Sequence, residues 1–298
     1  MSAQPPPTPD DLAPWRLISA SDRRPGRERN EDLIGGTSSA AWVLDGASSH
    51  GLTPACCGRD AYWYVHALSG ALAEILAHHD ALDLRQVLAE AILSVRADHH
   101  AACSNPSATT GPAATVALAR RRGDLLDYLV LGDSTILVET ESGVVEGTDR
   151  RLSDVASGIR AEIRDHLRGG SGYSSSVYRS LVKQLVTVER AARNTAGGYW
   201  IAAEDPEAAA HALTGTFPIG SATEEARRIA LLSDGFARAV TTFHLHEGWQ
   251  QLLDALVSEG PAACIAALRS TEYADPQGLR FPRTSRSDDA SVVVCDLS

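Results

Sequence analysis

Several short apolar runs in this chain each carry a carboxylate at one end. "WVLDG" closes on Asp45-Gly46, "YLVLGDS" on Asp133 and "IALLSDG" on Asp234-Gly235, while "SDDASVVV" opens with Asp288 and Asp289. Runs of this length, rich in Val, Leu and Ile and bounded by Gly, Asp or Ser, read as β-strands. One Asp at a strand end is an ordinary turn former. The same grammar repeated along one chain asks for more. Strand ends of a sheet lie close together in space, and clustered carboxylates repel one another unless a cation sits among them. The stretch "RERNED" (27–32) adds Glu31 and Asp32 just before the first such strand, with Arg27 and Arg29 beside them.

Further strand-type runs fall at 113–119, 135–139 and 198–203. "RRGDL" (121–125) carries a Gly-Asp pair between two runs and reads as a hairpin turn. Long Ala/Leu-rich amphipathic stretches at 54–79 and 84–103 read as helices, and 205–213, 247–260 and 261–270 as shorter ones. Asp205 and Pro206 supply a cap and a first-turn proline. Strands and helices come in blocks rather than in strict alternation. That predicts an α+β protein of antiparallel sheets covered by helices, not a doubly wound parallel fold.

The chain has 298 residues, 44% of them apolar, enough for one large domain or two small ones with a real core. Residues 1–14 are Pro-rich and acidic, without an apolar core of their own, and read as a disordered leader. Residues 15–298 then form a single domain, in which the charged, Gly/Ser-rich segment at about 150–197 is expected to be an inserted flap over a site. Within it, 177–194 reads as a helix.

The net charge of −11 argues against nucleic acid as a partner, because neutralising phosphates wants a basic face. Arginine carries nearly all the positive charge, with Lys183 the one lysine. No apolar run approaches the roughly 20 residues of a membrane span. The cysteines, Cys56, Cys57, Cys103, Cys264 and Cys295, are odd in number and form no disulfide or zinc framework. They are expected to be reduced, in a cytoplasmic protein acting as a monomer. No GxxxxGK[ST] loop and no GxSxG elbow is present. The pairs His78-His79 and His99-His100 are neighbours on a helix, point to different sides of it, and are expected at solvated helix ends rather than around a metal.

The strand-end acids offer only oxygen. Oxygen donors suit Mg²⁺ or Mn²⁺ rather than zinc. Two such ions close together activate a water and clamp a phosphoryl group, and an arginine at position 27 or 29 presents a planar fork to phosphate oxygens. The residues therefore point to metal-assisted hydrolysis of phosphate esters.

The ordered set "RERNED", "WVLDGASSHG", "VLGDST" and "LLSDG…DDASVVV" resembles the metal-dependent protein phosphatases (type 2C), most closely their bacterial branch. The resemblance spans residues 27 to 295. It implies an αββα sandwich, two central antiparallel sheets flanked by helix pairs, with a dinuclear site at one end. It implies that Asp45 bridges two Mn²⁺ or Mg²⁺ ions and that Gly46 lends its carbonyl. Asp234 and Asp288 match further metal ligands, as does one of the acids Glu31 and Asp32. Asp133 matches the acid that holds a weaker third ion, and Arg27 matches the phosphate-binding arginine. The implied catalytic set is Asp45, Asp234 and Arg27, and the implied substrate a phosphoserine or phosphothreonine protein. The sequence departs from the family in "DGASS", where two glycines become Ser48 and Ser49, in "GDST", which lacks an arginine, and in "DD" at 288–289. His50 is the nearest candidate for a general acid. These departures keep a second reading open, a weakly active or inactive member that binds a partner or nucleotide as a regulator.

Overall fold

The computed structural model describes residues 15–47, 57–103, 111–220 and 224–297. The leader at 1–14 lies outside the described residues.

Alternate residues of strand β3 (Ala40–Gly46) enter two different cores. Ala41 and Val43 join an apolar layer with Ala117, Val130, Ile229, Leu231 and Val293, whereas Trp42 and Leu44 join one with Leu68, Leu72, Leu88 and Ile92. The cause is a pair of stacked sheets. One has the order β2 (Asp32–Gly36), β3, β4 (Ala114–Arg122), β5 (Leu125–Leu131) and β8 (Leu213–Pro218). The other has the order β1 (Arg16–Asp22), β10 (Ala290–Asp296), β9 (Arg228–Leu232), β6 (Thr135–Thr140) and β7 (Gly143–Thr148). Every strand pair in both sheets is antiparallel. The outer face of the first sheet is covered by α1 (Ala61–His78) and α2 (Leu84–Ala102). The outer face of the second is covered by α6 (Asp234–Thr241), α7 (Trp249–Ser258) and α8 (Pro261–Ala274), through Phe236, Leu252, Leu256 and Leu268. This is the expected αββα sandwich.

The central strands are buried on both faces, so they read as unbroken apolar runs instead of alternating ones. Each fully buried Leu, Val or Ile in them is worth roughly 1.5–3 kcal/mol of transfer free energy. Helices α1 and α2 start on side-chain caps: the Asp60 carboxylate accepts from Trp63 N–H, and Asp83 forms a capping box with Gln86. None of the described helices is long and apolar enough to cross a membrane.

Three local expectations need correction. Residues 198–203 are not a strand of either sheet. β5 pairs with β4 only from Val116 inward, and Ala202 takes the remaining slot as a single bridge to Ala114. The chain then enters a 3₁₀ helix, Pro206–His211, behind the Asp205 cap. His99 and His100 are not both solvated. His99 is buried at the end of α2, its Nδ1 hydrogen-bonds the Glu204 carboxylate, and His100 Nε2 reaches the other Glu204 oxygen at 2.6 Å. Adjacent residues at a helix end can thus converge on one acceptor, because the rings swing toward a carboxylate brought up by another segment. Finally, Cys57, Cys264 and Cys295 are free thiols, but Cys103 is disulfide-bonded.

The segment at 150–197 is helical: α3 (Arg151–Asp154), α4 (Ser157–Arg168) and α5 (Ser176–Ala192). It has a small core of its own, Ile163, Leu167, Tyr173, Leu181 and Leu185. Tyr178 Oη donates to the Thr284 carbonyl at 2.7 Å and ties this unit to the loop before β10.

Candidate metal centre

Register puts the first two acids together. In the β2–β3 pair Asp32 stands opposite Asp45. Gly46 N–H donates to the Glu31 carbonyl at 3.0 Å, and a Cβ at Gly46 would lie 2.7 Å from that oxygen. Only glycine lets the end of β3 close on Glu31. Asp133 sits in the short connection by which the chain leaves the first sheet at β5 and enters the second at β6.

The second sheet supplies the remaining acids. Asp234 opens α6 directly after β9, a position where the helix dipole favours negative charge. Ser233 N–H donates to the Ser291 carbonyl at 3.0 Å, and Ser291 N–H donates to Ser233 Oγ at 2.9 Å, locking the end of β9 against β10. A Cβ at Gly235 would lie 1.9 Å from the Asp289 carbonyl oxygen, so glycine is what allows α6 to start against the 288–289 turn. The two adjacent acids there separate cleanly. Asp289 accepts Arg24 N–H at 2.6 Å and Glu31 N–H at 2.7 Å, fastening the 24–31 loop, while Asp288 turns toward Asp45 and Asp234.

The electrostatics follow from this crowding. Burial, and then the charges of Asp32, Asp234, Asp288 and Asp133, hold the Asp45 carboxyl well above the usual carboxylate range. Asp32 is raised well above it too, by burial first and by Asp289 and Asp288 after that. Burial and then Asp234 push Asp133 up to about 7. Glu31 is raised by burial, partly offset by Arg27. Both carboxylate oxygens of Asp32 are buried with no arginine or lysine paired to them among the described residues, and the Ser233 and Ser291 hydroxyls only partly offset the cost of burying that charge. A buried carboxylate with no cation paired to it, beside mutually repelling acids, is what a divalent cation would satisfy, and an all-oxygen donor set suits Mg²⁺ or Mn²⁺.

Every acid singled out in the sequence therefore reaches this centre, with Asp289 as its fastening. The arginines divide differently. Arg27 is exposed and lines the adjoining cavity. Arg29 is turned away, 3.6 Å from Asp60 and over the Tyr62 ring. Two arginines escaped the sequence reading. Arg24 is largely covered, with Nη1 3.8 Å from Asp288 Oδ1. Arg238 donates to Asp288 Oδ2 at 2.6 Å and Asp234 Oδ2 at 3.3 Å, and to Ser285 Oγ at 2.9 Å. The available signal was spacing, since Arg238 lies one helical turn beyond Asp234. Ser48, Ser49 and His50 lie outside the described residues.

The acids face a cleft of about 170 Å³ roofed by Val186, Glu189 and Arg190 of α5. A cavity of about 1970 Å³ shares Asp133, Asp234 and Asp288 with it and runs between the 150–197 unit and the loop before β10. A separate group lies elsewhere: donor atoms of Cys57, His99 and Cys103 fall within 4.8 Å of one another, but the disulfide engages Cys103.

Residues 28–267 match the protein family described as Protein phosphatase 2C. No curated protein matches the chain in sequence. Solved structures with the same fold include the Mycobacterium tuberculosis serine/threonine phosphatase PstP/Ppp, at 17% identity and a TM-score of 0.53, with 96% of this chain and 100% of that one covered. They also include PppA of Pseudomonas aeruginosa, a regulatory component of the type VI secretion system, at 18% and 0.53, covering 96% and 99%. The catalytic domain of PstP in complex with two manganese ions matches at 18% and 0.50, covering 95% and 98%. At these identities the likeness is one of fold.

Proposed function

Because the chain belongs to the protein phosphatase 2C family, we propose that it hydrolyses phosphoserine and phosphothreonine monoesters of proteins with two Mn²⁺ or Mg²⁺ ions. The observation that carries this is the convergence of Asp32, Asp45, Asp133, Asp234 and Asp288 from both sheets, with Asp32 buried and paired to no cation among the described residues. The PstP catalytic domain, similar in fold, was crystallised with two manganese ions.

Asp45, central to the repelling set, and Asp32 opposite it would hold the ions together, with Asp234 and Asp288 completing the site from the second sheet and Asp133 serving a weaker third ion. The bound ions would supply Lewis acidity, acidifying a water and neutralising charge on the phosphoryl oxygens. Arg27 at the cavity wall would hold the phosphate in a bidentate fork. Val186 and Glu189 of α5 line the cleft and would limit water around the reacting groups.

A second reading is favoured by Arg238, whose guanidinium already supplies positive charge to Asp234 and Asp288. A member that leans on this internal cation would bind metal weakly and act as a regulator. Hydrolysis of p-nitrophenyl phosphate separates the two. An enzyme gives Mn²⁺-dependent turnover that EDTA abolishes; no turnover at saturating Mn²⁺ would leave the regulatory reading.

A further inference from the structure

The cavity beside the metal centre is unequal in charge in a protein whose overall charge is −11. Each acid on its wall outside the centre is already engaged. Asp22 and Glu272 pair with Arg269, both at 2.8 Å, and Glu146 pairs with Arg150 at 2.9 Å. Asp149 pairs with Arg151 and Glu189 with Arg160, both at 2.5 Å. On the same wall Arg23, Arg27, Arg164, Arg280 and Arg286 make no ion pair among the described residues. Arg23 is spent on the Glu28 carbonyl, and Arg280 and Arg286 lie over the rings of Phe281 and Tyr173. These arginines come from three separate parts of the chain: the loop after β1, helix α4 and the loop before β10.

Such a wall wants negative charge beyond the single phosphate at the metal centre. Resting on the phosphatase reading above, we infer that the substrate is an extended polypeptide segment whose phosphoresidue is flanked by acidic side chains or further phosphates. The size of the cavity selects a polypeptide. At about 1970 Å³ it exceeds the roughly 300–1,000 Å³ of a small-molecule pocket. The negative charge of the rest of the molecule disfavours a long polyanion such as nucleic acid, while a short acidic segment lies wholly against the arginines. The side-chain planes of Arg280 and Arg286 are held by aromatic rings, so less freedom is lost when they engage a carboxylate or phosphate.

The test is a set of phosphothreonine peptides of equal length whose flanking residues are acidic, neutral or basic, assayed with the full chain and Mn²⁺. At low salt the acidic peptide should exceed the basic one by roughly tenfold or more in kcat/KM, with the gap closing as salt rises. Arg164→Ser, Arg280→Ser and Arg286→Ser combined should reduce the acidic-to-neutral ratio toward one. Turnover of p-nitrophenyl phosphate together with equal kcat/KM for all three peptides overturns the inference and leaves the phosphatase reading standing. If p-nitrophenyl phosphate is not turned over, that reading fails, and fluorescence anisotropy with the labelled acidic phosphopeptide judges the wall alone. Binding weakened by the triple substitution supports it, and binding unchanged by it, or equal for the basic peptide, overturns it.

Discussion

Arg238 donates to Asp288 at 2.6 Å from the second turn of α6, and the same guanidinium touches Asp234. It is a fixed cation placed where the acids of the second sheet meet. Burial alone would lower the pKa of Arg238, yet Asp288 and Asp234 raise it far above the ordinary arginine value, so it stays charged. Removing one partner of a buried pair costs about 3–5 kcal/mol. Asp288 and Asp234 are each about a third exposed, which reduces that figure. Arg238→Ala should therefore destabilise the EDTA-treated protein by about 1–3 kcal/mol. Saturating Mn²⁺ should restore most of the loss, and Mn²⁺ should bind the variant more tightly, since a competing positive charge is gone. Thermal denaturation with and without EDTA, and calorimetry with Mn²⁺, check this. An equal loss of stability in both conditions would show that Arg238 is only a packing element.

Asp45→Asn and Asp234→Asn should each abolish Mn²⁺-dependent hydrolysis while leaving the fold intact. Loss of residues that merely orient metal ligands costs about 10–100-fold, so loss of a ligand should cost more than about 100-fold. The metal-free form of Asp45→Asn should be as stable as the parent or more so, because Asp45 is surrounded by like charge. Rates near the parent's at saturating Mn²⁺ would remove these acids from the mechanism.

Arg27 lines the cavity and Arg29 does not, being held between Asp60 and Tyr62. Arg27→Ala should raise KM more than it lowers kcat, as expected for a group that holds ground-state phosphate. Arg29→Ala should leave both within about twofold, since exposed ion pairs contribute about 0–1 kcal/mol. Steady-state kinetics decide, and the reverse pattern would make Arg29, not Arg27, the arginine that holds phosphate.

The strands that the sequence declares are the inner ones. β3, β4, β5, β6, β9 and β10 are buried on both faces and stand out as apolar runs. The strands it hides, β1, β2, β7 and β8, are the four sheet edges, where at least one face meets solvent and "RLISASD" or "LTGTFP" carries no such signal. The site was legible for a related reason. Asp45, Asp133, Asp234 and Asp288 each sit beside a run that had to be buried, so burial fixed where the acid would emerge, whereas Glu31 and Asp32 flank the edge strand β2. Arg24 was not legible, because its role depends on which loop lies over Asp288, and the spacing of Arg238 from Asp234 signalled only a pair along one helix, not the contact with Asp288. The convergence of His99 and His100 on Glu204 was hidden likewise, since it joins residues 105 and 104 positions apart.

The pH dependence of the metal-free protein offers the last test. Burial, and then the charge of Asp234, push the Asp133 carboxyl up to about 7, against an ordinary value of 3.8. Between those pH values the folded state keeps a proton that the unfolded chain has released. The folded state then binds more protons than the unfolded one, so the free energy of unfolding falls as pH rises. One such group gives a slope of up to about 1.4 kcal/mol per pH unit. Asp32, Asp45 and Glu31, also raised, act in the same direction. In EDTA, stability should therefore decline from about pH 4 to about pH 7. Asp133→Asn, which cannot ionise, should flatten part of that decline. Mn²⁺ should abolish it, because metal binding favours the deprotonated ligands and grows stronger as they lose their protons. Urea unfolding at a series of pH values, with and without Mn²⁺, gives the slopes directly. Stability that rises through this window in EDTA, or an Asp133→Asn variant with the parent's slope, would mean that the acids are not crowded into one buried centre as the fold places them.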